Sequence, residues 1–295
     1  LVMLRKLFAA VLLVVSFAAS AQRSEILLEK NWKFHRGDAE NAQTVAYDDA
    51  SWQNVTVPHD WAIYGPFSRD NDLQYKQVVE NGETKATWKT GRTGGLPYEG
   101  VGWYRTSFDA SKSGRTTLIF DGAMSEARVY VNGKEVIFWP YGYSSFHIDV
   151  TEHLTADGKN NVLAVRLENR PSSSRWYPGA GLYRNVHVLS TGNTCVPVWG
   201  TQITTPHVKE GFASVSLKTK VQNPGDEVLE FQTVIYGPDG KEVSSNTRSV
   251  KYQTGRPIEQ TFIVENPQLW SPESPSLYVA RTTLKRGEEV LDVYD

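Results

Sequence analysis

Arg175, Trp176 and Tyr177 stand together immediately before Pro178, Gly179 and Gly181, and they are the side chains most suggestive of recognition chemistry. A guanidinium carries five donors in a fixed fork. An indole and a phenol add flat apolar faces with one polar handle each. Proline and glycine before a new apolar run, Val186 and Val188, describe a shaped surface crossing between two strands. Tyr98 and Glu99 close a second irregular stretch, just ahead of Trp103 to Phe108. Arg175, Trp176, Tyr98 and Glu99 are therefore the candidate binding residues, on two loops expected to approach one another.

Bond-making chemistry finds no such support. Gly142-Tyr143-Ser144-Ser145-Phe146 comes nearest to a serine nucleophile elbow, and Phe146 stands where the second glycine belongs. His59 and Asp60 look like an acid and base pair, but adjacent side chains of an extended segment point to opposite faces. Pro58-His59-Asp60-Trp61 therefore reads as a strand-end packing motif. His147, His153, His187 and His207 lack partners at ligand spacing, so no metal site is expected. No glycine-rich phosphate loop precedes a helix, and no cofactor is implied. On these residues alone the chain reads as a binding or scaffolding module.

The elements that must hold these loops are strands. Leu118 and Phe120 alternate with Thr117 and Ile119, Ala127 to Val131 repeats the pattern, and Leu163, Val165 and Leu167 do so again. Asn132-Gly133 between two such runs signals a tight hairpin, and Asp157-Gly158 and Asp239-Gly240 mark further turns. Between Ala62 and Gly100 the alternation lapses into what reads as a long surface loop. It resumes after Val196, where Val215, Leu217 and Thr219, then Phe231, Thr233 and Ile235, face one side. The expected fold is all-β, with a jelly roll over residues 22–190 and an immunoglobulin-like sandwich over 194–295, joined near Ser190 to Asn193.

Residues 1–21 are expected to lie outside that fold. Arg5 and Lys6, the apolar run Leu7 to Phe17 and the small residues Ala19-Ser20-Ala21 read as a secretory signal cleaved after Ala21. The apolar run is too short to span a bilayer, so a periplasmic or extracellular destination is expected, without a membrane span after cleavage. Cys195 is the single cysteine, so no internal disulfide can support the exported chain. A net charge of −2 without basic blocks argues against nucleic acid as a partner. Nine tryptophans and fourteen tyrosines are a large aromatic complement. Such faces stack on sugar rings, and large β-sandwiches also bury them.

Six motifs in order carry a resemblance. Asn31-Trp32-Lys33-Phe34, Val57-Pro58-His59-Asp60-Trp61, Gly102-Trp103-Tyr104-Arg105, Phe120-Asp121-Gly122, Val129-Tyr130-Val131-Asn132-Gly133 and Arg175 to Val186 together resemble glycoside hydrolase family 2, and especially its exported bacterial β-galactosidases. Leu269-Trp270-Ser271-Pro272 with Pro275, Leu277 and Tyr278 is similar to the family's sandwich signature. The resemblance implies a sugar-binding jelly roll, an immunoglobulin-like sandwich, and then a (β/α)₈ barrel beyond Asp295 that holds both catalytic carboxylates.

No catalytic residue is therefore expected in this sequence, and the chain alone should be inactive. The first domain is expected to lend a loop to the barrel's sugar site, with a carbohydrate, most simply a terminal β-galactoside, as partner. Relatives with an aspartate where Arg175 falls do not pass that carboxylate's role to an arginine. Arg175 would bind sugar hydroxyls or an acidic substituent, or brace the loop by a salt bridge. Trp176 would stack on a ring or pack against the barrel. The competing expectation is a free-standing carbohydrate-binding or structural pair of sandwiches without hydrolase activity.

Overall fold

The period-two alternation becomes strands throughout. The computed structural model describes residues 23–68, 70–71, 73–90, 99–111, 113–171, 176–222, 225–252 and 255–295. The expected signal segment, Tyr98 and Arg175 lie outside the described residues.

The chain begins with β1 (Ser24–Leu27), β2 (Trp32–Arg36), β3 (Gln53–Val55), β4 (Leu73–Glu80), β5 (Glu83–Thr90) and β6 (Gly100–Phe108). It continues through β7 (Arg115–Phe120), β8 (Ala127–Val131), β9 (Lys134–Trp139), β10 (Phe146–Asp149), β11 (Asn161–Asn169) and β12 (Val186–Thr191). A four-stranded sheet, β1-β12-β7-β10, packs against a six-stranded sheet, β3-β2-β6-β11-β8-β9. Every pairing is antiparallel. Leu118, Phe120, Val186 and Val188 from one sheet meet Phe34, Val129, Leu163 and Leu167 from the other in a single buried core. This is the two-layer solution that half-apolar strands demand.

The outer face of β11 is partly buried as well. Ala164 lies under Trp103, Trp52, Ala39 and Ala42, where residues 38–50 fold back over the six-stranded sheet. Arg105 clamps that covering segment: its Nε donates to Asp49 Oδ2 at 2.7 Å and its Nη1 to the carbonyls of Ala42 and Thr44. A buried guanidinium is tolerable only with its donors occupied in this way.

The expectation of a plain surface loop over Ala62 to Gly100 needs correction. β4 and β5 form a two-stranded hairpin in register from Leu73↔Thr90 to Glu80↔Glu83. Its turn is Asn81-Gly82, with φ of 52° and 79°, the same signal that turns β8 into β9 at Asn132-Gly133, with φ of 50° and 85°. A short 3-10 turn, Trp61–Tyr64, precedes the hairpin and is N-capped by Asp60.

The second half contains β13 (Thr201–Lys209), β14 (Phe212–Thr219), β15 (Val228–Tyr236), β16 (Glu242–Lys251), β17 (Ile258–Glu265), β18 (Val279–Arg286) and β19 (Glu289–Tyr294). They form sheets β13-β14-β17 and β16-β15-β18-β19. Leu217, Ile235, Phe262 and Val264 make one patch of the core, and Leu229, Phe231, Tyr252 and Leu284 another. β12 keeps its pairing through Ser190↔Thr116 and Thr191↔Arg115, and the next ladder starts at Thr201. Within the described residues, no strand of one half pairs with a strand of the other.

Candidate functional site

Residues 180–182 form the spine of the site. Trp61 N donates to Ala180 O at 3.0 Å and His59 N to Leu182 O at 2.7 Å. On the other side, Gly181 and Met124 exchange both backbone hydrogen bonds at 2.9 Å. The loop that returns toward β12 is thus a short strand pinned between two segments. Gly181, at φ +120°, is required here, because a Cβ would come within 2.5 Å of both His59 O and the Tyr104 hydroxyl. Ala180 and Leu182 are fully buried and root the segment in the core.

Asp60 fixes the loop just before that spine. Its Oδ1 accepts from Ala62 N at 2.9 Å and from Ala180 N at 3.1 Å, and its Oδ2 accepts from the Tyr177 hydroxyl at 2.6 Å. Burial and then this carboxylate push the Tyr177 phenol far above its ordinary range, so Tyr177 stays a neutral donor. With three donors already on it, Asp60 is an anchor for the loop and not a general base.

His59 turns the other way. Its Nδ1 lies 2.7 Å from the Tyr104 hydroxyl, with the ring against Phe34 at 5.0 Å. Burial lowers its pKa; Asp60 opposes this, and Arg36 adds to it. The two neighbours do point to opposite faces.

At the outer rim Trp176 is 56 % exposed, and its Nε1 donates to the Tyr143 hydroxyl at 2.8 Å. The two rings lie 6.4 Å apart, and Tyr141 continues the cluster at 5.6 Å from Tyr143. Tyr183, whose hydroxyl donates to Gly142 O at 2.8 Å, closes it from beneath. The failed serine elbow therefore supplies Tyr143 to an aromatic rim, while Ser145 Oγ donates to the Asp121 carbonyl. Glu99 is half-buried and adjoins Gly100, which pairs with Asn169 at the root of the Trp176 loop. The two loops thus leave neighbouring strand ends.

Tyr143, Tyr141 and Asp60 are the residues that sequence reasoning missed as parts of this site. Asp60 carried a usable signal, as a short acidic residue ahead of a turn is a common N-cap. The tyrosines had none, because their convergence depends on the packing of Gly142 against Met124.

A family model described as "Glycosyl hydrolases family 2, sugar binding domain" matches residues 27–192, and one described as "Glycosyl hydrolases family 2" matches residues 196–295. The chain belongs to family 2 of the glycosyl hydrolases. Within the family, it is 35 % identical over 287 residues to a Bacteroides ovatus protein named beta-galactosidase BoGH2A, covering 95 % of this chain and 31 % of that protein. It is 33 % identical over 286 residues to a Formosa agariphila putative beta-glucuronidase, covering 96 % of this chain and 25 % of that one. A solved family 2 structure from Bacteroides cellulosilyticus superposes with a TM-score of 0.79 at 29 % identity, over 92 % of this chain and 34 % of that one. This family 2 chain therefore spans between a quarter and about a third of the length of these relatives. It carries the family's sugar-binding domain and the segment that follows. Among the described residues, no group of three or more histidine, cysteine, aspartate or glutamate side chains is placed to hold a metal ion.

Proposed function

We propose that this chain is the non-catalytic front part of an exported, exo-acting β-glycosidase. On this reading it lends the Arg175 to Leu182 loop to a sugar site whose catalytic carboxylates lie on a following barrel, and its substrate is a terminal β-galactoside. The observation that carries the reading is the double pinning of residues 180–182 together with the Asp60 to Tyr177 hydrogen bond. A loop held this firmly presents an exposed indole at its rim at little ordering cost on binding. Retaining glycosidases need two carboxyl groups about 5 to 5.5 Å apart across the bond, and the best-placed carboxylate here, Asp60, is occupied in holding the loop. Relatives named as beta-galactosidase and as beta-glucuronidase both match, so an anionic sugar ring is the second reading, and Arg175 would be its partner.

The test is kinetic. In the full-length enzyme, Arg175→Ala and Trp176→Ala are expected to lower kcat/KM on a chromogenic β-galactoside about tenfold to a hundredfold, with the melting temperature unchanged. Wild-type kcat/KM on both galactoside and glucuronide would refute the loop's role. A larger loss on the glucuronide would move the assignment to the second reading. The chain by itself is expected to turn over neither substrate.

A further inference from the structure

A second concave surface lies on the far side of the His59-Asp60-Trp61 segment from the loop. It is a cleft of about 570 Å³ between residues 30–31, the edge strand β3 and the 3-10 turn. That volume falls within the roughly 300 to 1,000 Å³ usual for small-molecule sites. Lys30, Asn31, Gln53, Asn54, Thr56 and Tyr64 line it with exposed side chains. Among the described residues, the side chains of the first five form no hydrogen bond with the rest of the chain. Tyr64 is 70 % exposed. It stacks on His59 at 5.9 Å with an interplanar angle of 20°, and His59 is itself held by Tyr104. The face of Tyr64 turned away from His59 is open to solvent.

We infer that this cleft is a separate saccharide-binding site, for two or three units of a neutral oligosaccharide. A solvent-facing aromatic ring backed by His59 matches the apolar C–H face of a pyranose. Three carboxamides, each with donors and an acceptor, match vicinal hydroxyls, which themselves donate and accept. The lining holds one cation and no carboxylate, so nothing in it demands an anionic ligand, and one lysine is too little for a nucleic-acid backbone.

The site is distinct from the loop site because Asp60, extended at φ −119° and ψ 107°, sends its carboxylate to Tyr177 while His59 faces the cleft. The inference does not depend on which glycoside the parent enzyme cleaves. It gives the chain a hold on the body of a glycan beyond the residue being removed.

The experiment titrates the full chain, carrying Trp176→Ala to weaken the loop site, with β-1,4-galactotetraose and with cellotetraose, and with polygalacturonate as the acidic comparison. Calorimetry gives the affinity and amide chemical shifts give the location. A neutral tetrasaccharide is expected to bind with Kd near about 1 mM and to shift the amides of residues 53–56. Adding Tyr64→Ala is expected to weaken binding by about tenfold or more, and Gln53→Ala with Asn54→Ala by about fivefold. Should Tyr64→Ala perturb folding, the double amide variant decides the matter. The inference is overturned if no neutral tetrasaccharide binds by about 10 mM, if only the acidic polymer binds, or if Trp176→Ala alone abolishes binding.

Discussion

His59 and Asp60 are consecutive, yet one serves the core and the other the loop. Burial holds the His59 imidazole below its ordinary value of 6.5 in the folded chain. The unfolded chain therefore takes up a proton at His59 first as pH falls. Stability from this group is complete above about pH 6.5, declines as pH drops toward the lowered folded value, and levels off below it. His147, lowered by burial as well, contributes in the same direction. Urea unfolding at pH 7.5 and pH 5 should show this loss, and His59→Gln should reduce the difference while leaving the share from His147. An identical difference in the variant would mean that His59 is not kept neutral by its surroundings.

At the scale of elements, the second sandwich has a polar tie through its centre. Thr233 on β15 donates from Oγ1 to Gln260 Oε1 on β17 at 2.8 Å, and its hydroxyl lies 2.8 Å from that of Thr282 on β18. Gln260 Nε2 donates to the carbonyls of Phe231 and Asn246, so the amide bridges the two sheets. All three side chains are buried. A half-satisfied buried network costs more than none, so Thr233→Val, which keeps the shape and strands the glutamine oxygen, should destabilise the chain by about 1 to 3 kcal/mol. Equilibrium denaturation measures it directly, and a change below about 0.5 kcal/mol would show the tie to be dispensable.

Across the whole molecule, the two halves meet through Arg23 and Asp292. The guanidinium donates to both carboxylate oxygens at 3.0 and 2.8 Å, and Val196 N adds a third bond to Asp292 at 2.8 Å. Asp292 is 2 % exposed, and Arg23 also lies over the Tyr294 ring. Arg23, just ahead of β1, thus ties the first sandwich to the second. Breaking one partner of a buried pair typically costs about 3 kcal/mol or more. Asp292→Asn should therefore lower stability and speed limited proteolysis between Thr191 and Thr201. Unchanged cleavage there would show that the two sandwiches are held together by other contacts.

The all-β architecture was legible because a half-buried strand writes its two faces into alternate residues, as Ala127 to Val131 and Phe231 to Ile235 do. Asn132-Gly133 was legible because its positive φ values exclude most other pairs. The same pair at Asn81-Gly82 is harder to recognise, since the strands on either side carry mixed charges instead of clean alternation. The Trp176 loop could be picked out by its residue types, and the six ordered motifs pointed to the family. What only the tertiary structure decided is which residues share a surface with that loop. Tyr143 reaches Trp176 from 33 positions away and Asp60 reaches Tyr177 from 117 away. Those meetings are set by how Gly181 fits between His59 and Met124 and by how the sheets stack, and packing at that separation leaves no local period in a sequence.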